Sequence, residues 1–162
     1  MNPTPTLFVK MALDAWNIHI QRADKLLAEL SDDQLLQQVA PGKNRGIYLL
    51  GHLTAIHDKM LALLSLGTPR YPELFAAFVD EPDSTKTEIP DIAGLREKWK
   101  STNDLLSTAF KTLTPEDWFK KHESVNEEDF KKEPHRNRLN LVINRTNHLS
   151  YHYGQMILLK KN

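Results

Sequence analysis

Two histidines four residues apart, His148 and His152, stand in an apolar-rich stretch from Leu139 to Lys160 that holds no proline and one glycine. Such a stretch reads as a helix, where residues four apart lie one above the other with Cβ atoms about 5–6 Å apart. Two neutral imidazoles at that reach are a pair of metal ligands. The pair is half a site, because structural zinc takes four ligands and catalytic zinc usually three plus water. A third ligand has to come from elsewhere in the chain.

The elements that must position these rings are helical. Phe8, Met11, Ala12, Ala15, His19, Ala23, Leu26 and Leu30 fall on one face at helical spacing and predict a first helix over residues 6–30, with Thr6 as its N-cap. A short turn follows at Ser31 to Gln34. Gly46 to Leu66 is the second long helix, closed by Gly67-Thr68-Pro69. Residues 74–79 suit a short helix, and Pro82, Ser84 and Thr85 a loop. Asp91 opens the third long helix, which runs to about Leu113; Thr114-Pro115 then starts a short one. Residues 119–136 are highly charged and read as a surface connection, and residues 137–160 form the fourth long helix. The expectation is an all-α four-helix bundle, one domain over residues 1–162. Two connections exceed twenty residues, too long for hairpins, so at least one crossover or parallel neighbour is required.

Composition narrows the function. The 162 residues carry 21 Lys plus Arg against 21 Asp plus Glu, a formal net charge of zero. Nucleic acid and anionic membrane both call for excess positive charge, so neither is expected as a partner. With no cysteine, thiolate ligands, disulfides and a cysteine nucleophile are excluded. No apolar run has the length of a membrane span, the N-terminus has no leader pattern, and a cytoplasmic protein is expected. Helices two and four carry apolar residues around most of their circumference, which predicts a homodimer.

Five histidines remain. His122 and His135 lie in the polar connection and read as solvated. His52 and His57 share the second helix but point about 140° apart. His52 lies among Tyr48, Leu49, Ile56 and Leu63, where a histidine is either a satisfied core residue or a ligand. His57 sits over a second apolar arc with Leu50, Leu61 and Leu64. His19 is central to the first helix's apolar face and reads first as core, with a fourth ligand or a substrate contact as the other roles open to it. Trp16, Trp99 and Trp118 read as core.

The pattern Gly46-Ile47-Tyr48-Leu49-Leu50-Gly51-His52-Leu53, taken with Asn147-His148-Leu149-Ser150-Tyr151-His152-Tyr153-Gly154-Gln155, resembles the DinB/YfiT family of bacterial four-helix-bundle metalloproteins. Thr114-Pro115-Glu116-Asp117-Trp118 resembles a short segment that often precedes the last part of that fold. The resemblance implies that His52, His148 and His152 bind one divalent metal. It also implies metal-dependent chemistry on a small molecule, with hydrolysis or thiol-dependent transfer or isomerisation as the reaction class. Any thiol would be an external low-molecular-weight cofactor. Tyr153 departs from the Asp or Arg that many members carry near the helix-four pair, which points to a changed substrate or a lost activity.

Three imidazoles leave the ion's charge uncompensated and one position open, the arrangement that activates water or polarises a carbonyl or thiol. Zinc and nickel are the leading metals; iron and copper also accept imidazoles. Asn144 and Gln155 share the histidine face and are candidates to accept the free ring N–H groups. Tyr48 is a candidate to hydrogen-bond substrate, although packing is its commoner use. Arg145 could meet an anionic substrate but reads first as solvated. No Glu or Asp lies within a turn of His148 or His152. That keeps a second function open: a non-catalytic, stress-associated bundle whose metal is structural, incidental or lost.

Overall fold

The structure, a computed structural model, describes residues 3–83 and 91–160. The expected loop residues Ser84 and Thr85 lie outside them. Four long helices carry the fold: α1 (Pro3–Glu29), α3 (Gly46–Leu63), α5 (Ile92–Phe110) and α7 (Arg138–Met156). Short ones join them: α2 (Asp32–Leu35), α4 (Glu73–Phe75), which runs on into a π turn (Ala76–Asp80), and α6 (Glu127–Lys132). No β-strand occurs among the described residues. No described helix is long and apolar enough to cross a membrane.

Local chemistry sets these boundaries. α1 begins at Pro3 rather than after Thr6; the first-turn N–H groups have no helical partner, so prolines there cost nothing. Ser31 closes a capping box with Gln34 at the start of α2. Asp91 caps α5 through Ala93 N–H, and Asn137 caps α7 through Asn140 N–H. α3 stops at Leu63, earlier than Gly67 suggests. Ser65 takes the left-handed conformation (φ 56°), with Leu66 N–H on Leu61 O at 2.8 Å and Ser65 N–H on Ala62 O at 3.1 Å. That is a Schellman closure with serine in the usual glycine place. The segment after Thr114 is a 3-10 turn (Asp117–Phe119) rather than an α-helix.

The core residues give the topology. One cluster joins Ala23 and Leu26 of α1 and Leu30 just past it to Ile47, Leu50 and Leu53 of α3, Leu95 and Trp99 of α5, and Leu149 and Met156 of α7. The other joins Val9 and Trp16 to Met60, Leu61 and Leu64, to Leu106 and Phe110, and to Leu139–Val142. α1 and α7 therefore run parallel, α3 and α5 run parallel, and the two pairs oppose each other. The α3–α5 connection is the expected parallel crossover. The strongest packing pairs α3 with α5 and α1 with α7. Arg96 ties α5 to α1 by donating to the Leu27 and Leu30 carbonyls, orphans of the α1 C-terminus.

α3 is the enclosed element, with Ile47, Leu49, Leu50, Leu53, Met60, Leu61 and Leu64 all essentially inaccessible. Most of its apolar residues serve the interior. Among the described residues, the exposed large apolar side chains are on α1 (Leu7, Phe8, Met11, Ile18), on α7 (Ile143, Tyr151), just past it (Ile157, Leu158) and at Phe119 in the connection before α6. Trp16, Trp99 and Trp118 are buried core residues, as expected.

Candidate metal centre

α3 and α7 bring His52, His148 and His152 to one point. His148 Nε2 lies 3.2 Å from His52 Nε2 and 3.1 Å from His152 Nε2. One nitrogen from each ring falls within 4.8 Å of the other two. All three rings are half-buried.

The outer nitrogens decide what the inner ones offer. His52 Nδ1 is 2.8 Å from the Phe78 carbonyl, which can only accept, so the proton of a neutral His52 sits on Nδ1. His152 Nδ1 is 2.7 Å from Gln155 Oε1, which fixes the same tautomer. Both Nε2 atoms then present lone pairs to His148 Nε2. The single proton of His148 can lie between at most one of these two close approaches, whereas a cation satisfies all three lone pairs. A tetrahedral ion with bonds of about 2.0–2.1 Å would hold its nitrogens roughly 3.3 Å apart, close to the separations seen. The donor set fits a divalent metal.

Electrostatics keeps the rings unprotonated. Burial holds His148 down to about 4, helped by His152, His52 and Arg145. Burial also lowers His52, against the Phe78 hydrogen bond, and lowers His152, against that of Gln155. Neutral imidazole is the form that ligates.

The Phe78 acceptor comes from the π turn after α4, an element with no ligand of its own. Phe78 belongs to the last turn, where carbonyls lack helical donors. One face of α3 grips this segment at three levels. Arg45 pairs with Asp83, its Nη2 2.6 Å from Oδ1 and its backbone N–H 2.7 Å from Oδ2. The Tyr48 hydroxyl donates to the Glu81 carbonyl at 2.7 Å. His52 takes the Phe78 carbonyl. Gly51 lets the strap close, because the Phe78 ring occupies the space of its missing Cβ. Buried Asp58 fixes the other end by accepting from Arg70 and Tyr71 N–H at 2.9 and 2.8 Å.

The other sequence candidates divide. Gln155 orients His152, as its position suggested. Asn144 is exposed and holds no ring N–H among the described hydrogen bonds. The Tyr48 hydroxyl is committed to Glu81, while its ring stacks near His52 at 6.3 Å. His19 is not one of the three convergent residues. His135 is exposed, and His122 is partly buried against Ser124. Arg145 is half-buried rather than solvated, and burial lowers its pKa. His57 is a core residue at 0% exposure, between Trp16 and Trp99.

No curated protein matches the chain. The family model of the DinB superfamily matches residues 15–156, a span that contains all three histidines and both of their hydrogen-bonding acceptors. The chain belongs to the DinB superfamily.

Proposed function

We propose that the whole chain acts as one domain that holds a single divalent cation, zinc or nickel, at His52, His148 and His152, and applies it to a small molecule. The observation that supports this most is the pair of fixed tautomers, which aim two bare lone pairs at His148. When bound, such a cation supplies Lewis acidity that lowers the pKa of a water or thiol and polarises a carbonyl. The chain's own part is to keep the rings neutral and oriented. With no cysteine in the chain, thiol-dependent transfer would draw on an external low-molecular-weight thiol; hydrolysis would need only water.

A second reading is a non-catalytic bundle with a structural metal. It is favoured by the absence of a sequence-near carboxylate and by the engagement of Tyr48 with Glu81. We also infer a homodimer, through the exposed apolar residues of α1 and α7 rather than through α3.

Elemental analysis of protein purified without an affinity tag tests the metal. One ion per chain is expected, falling below about a tenth in His148→Ala. Metal content unchanged in that variant would overturn the proposal. Chelation separates the two readings: loss of turnover at constant melting temperature marks a catalytic ion, and loss of folding alone a structural one.

A further inference from the structure

His52 and His152 obtain their outer hydrogen bonds in different ways. The acceptor of His52 is a main-chain oxygen on a strap that Arg45–Asp83 and Tyr48–Glu81 tie down. The acceptor of His152 is the side-chain oxygen of Gln155, 2.7 Å from Nδ1. A glutamine side chain turns about three bonds, and a large rotamer entropy opposes holding it in one place. An acceptor of that kind orients a ring only if something else holds the amide.

Tyr151 is placed to do so. It precedes Gln155 by four residues on α7, so the two side chains meet on one face. Gln155 Nε2 donates to the Tyr151 hydroxyl at 3.3 Å. Oε1, the other arm of the same planar amide, then faces His152 Nδ1, which donates to it. The tyrosine ring also meets the imidazole edge to face, with centroids 5.1 Å apart at 69°. His148 and His52 stand against the same imidazole at 4.6 and 5.1 Å. Three rings therefore bound His152, and Tyr151 is the one that is not a candidate ligand. Tyr151 is 64% exposed, so core packing does not account for it. Both of its described side-chain contacts, hydroxyl to Gln155 and ring to His152, fall on the metal centre.

We propose that Tyr151 is a positioning residue for His152, acting through Gln155: its hydroxyl fixes the amide whose oxygen fixes the imidazole. The pair does for His152 what the strap does for His52. Its consequence for metal affinity rests on the metal-centre reading; its effect on the His152 ring is a property of the metal-free chain.

The test combines 15N NMR of the histidine rings in metal-free protein with titration by zinc alone. Wild type should show His152 protonated on Nδ1, with slow solvent exchange of that proton. Tyr151→Phe keeps the ring and removes only an exposed oxygen, so the fold is retained. The His152 proton should then exchange faster and zinc binding weaken about 2–10-fold. Gln155→Leu should weaken zinc binding about 10–100-fold, and Tyr151→Phe added to it should weaken binding no further. Three results would each overturn the proposal: a wild-type His152 protonated on Nε2, a His152 N–H that Tyr151→Phe leaves unchanged, or a Tyr151→Phe effect that is the same with and without Gln155. Faster His152 exchange in Tyr151→Phe, beside a wild type that takes up no zinc, upholds the link and removes the metal reading instead.

Discussion

Replacing Gly51 by alanine would place a Cβ 2.5 Å from Phe78 Cδ1 and 2.6 Å from Cε1 and Cγ. Carbon atoms rest at about 3.5–4.0 Å, so the Phe78 ring would have to retreat by roughly 1 Å. Phe78 is 6% exposed and packed in the core, and forcing such a residue aside costs about 1–3 kcal/mol. Alanine recovers up to ~1 kcal/mol of helix propensity, which leaves a net loss of about 0–2 kcal/mol. The larger effect falls on the site. The Phe78 carbonyl moves with its ring, and its 2.8 Å bond to His52 Nδ1 is lost. Loss of such an orienting acceptor weakens metal binding about 10–100-fold.

Gly154→Ala is the internal control. It is the same chemical change inside a helix, but the new Cβ meets nothing within 4 Å. It should stabilise by about 0.5–1 kcal/mol and leave the metal alone. Urea unfolding and zinc titration of both variants measure the two effects. If Gly51→Ala is as stable as wild type and binds zinc equally well, the strap does not position His52.

Three further outcomes follow from packing and charge. Folded His57 takes up a proton only near pH 3, whereas an unfolded histidine does so near 6.5. The unfolded chain therefore binds more protons in that window; stability is full above about 6.5 and falls toward 3 at ~1.4 kcal/mol per pH unit. His57 alone should account for a loss of about 2 kcal/mol from pH 7 to 5 in urea unfolding, to which the lowered His148, His52 and His152 add, and His57→Phe should lessen that slope; equal stability at the two pH values contradicts it. Asp83→Ala leaves the largely buried Arg45 without its carboxylate and should destabilise by about 3–5 kcal/mol, while Asp83→Asn keeps part of the contact; a loss under 1 kcal/mol on unfolding would show that the pair does not anchor the strap. Met11→Glu and Tyr151→Glu charge the exposed α1–α7 surface, and sedimentation should turn a wild-type dimer into a monomer, whereas a monomeric wild type removes the dimer.

Helices were legible because their signals are local. The apolar spacing of α1 and α5, the caps at Ser31 and Asp91, and the missing strand patterns all act within a few residues. The α3 terminus was less so: Gly67 is the obvious stop, yet Ser65 makes the left-handed turn because Leu61 and Leu66 must both reach the core at that point. The destination of an all-round apolar helix was not local either. Complete apolarity suits a dimer face and a central helix equally well, and only the packing of α5, α7 and α4 around α3 selects the second. The exposed apolar residues appear instead on α1 and α7, where polar positions alternate with them and dilute the signal.

The site divides along the same line between side chain and backbone. His148, His152 and Gln155 could be found by spacing, since residues three or four apart on one helix face have a fixed relation; His52, on another helix, was implied only by the family resemblance. The acceptor of His52 could not be found, because it is a main-chain oxygen, and every residue offers one. What the sequence does carry is the vacancy that admits it. A glycine in the middle of a helix gives up about 1 kcal/mol relative to alanine, a cost that calls for a close neighbour. At Gly51 that neighbour is Phe78, whose ring fills the glycine's side and whose carbonyl reaches the next residue's imidazole.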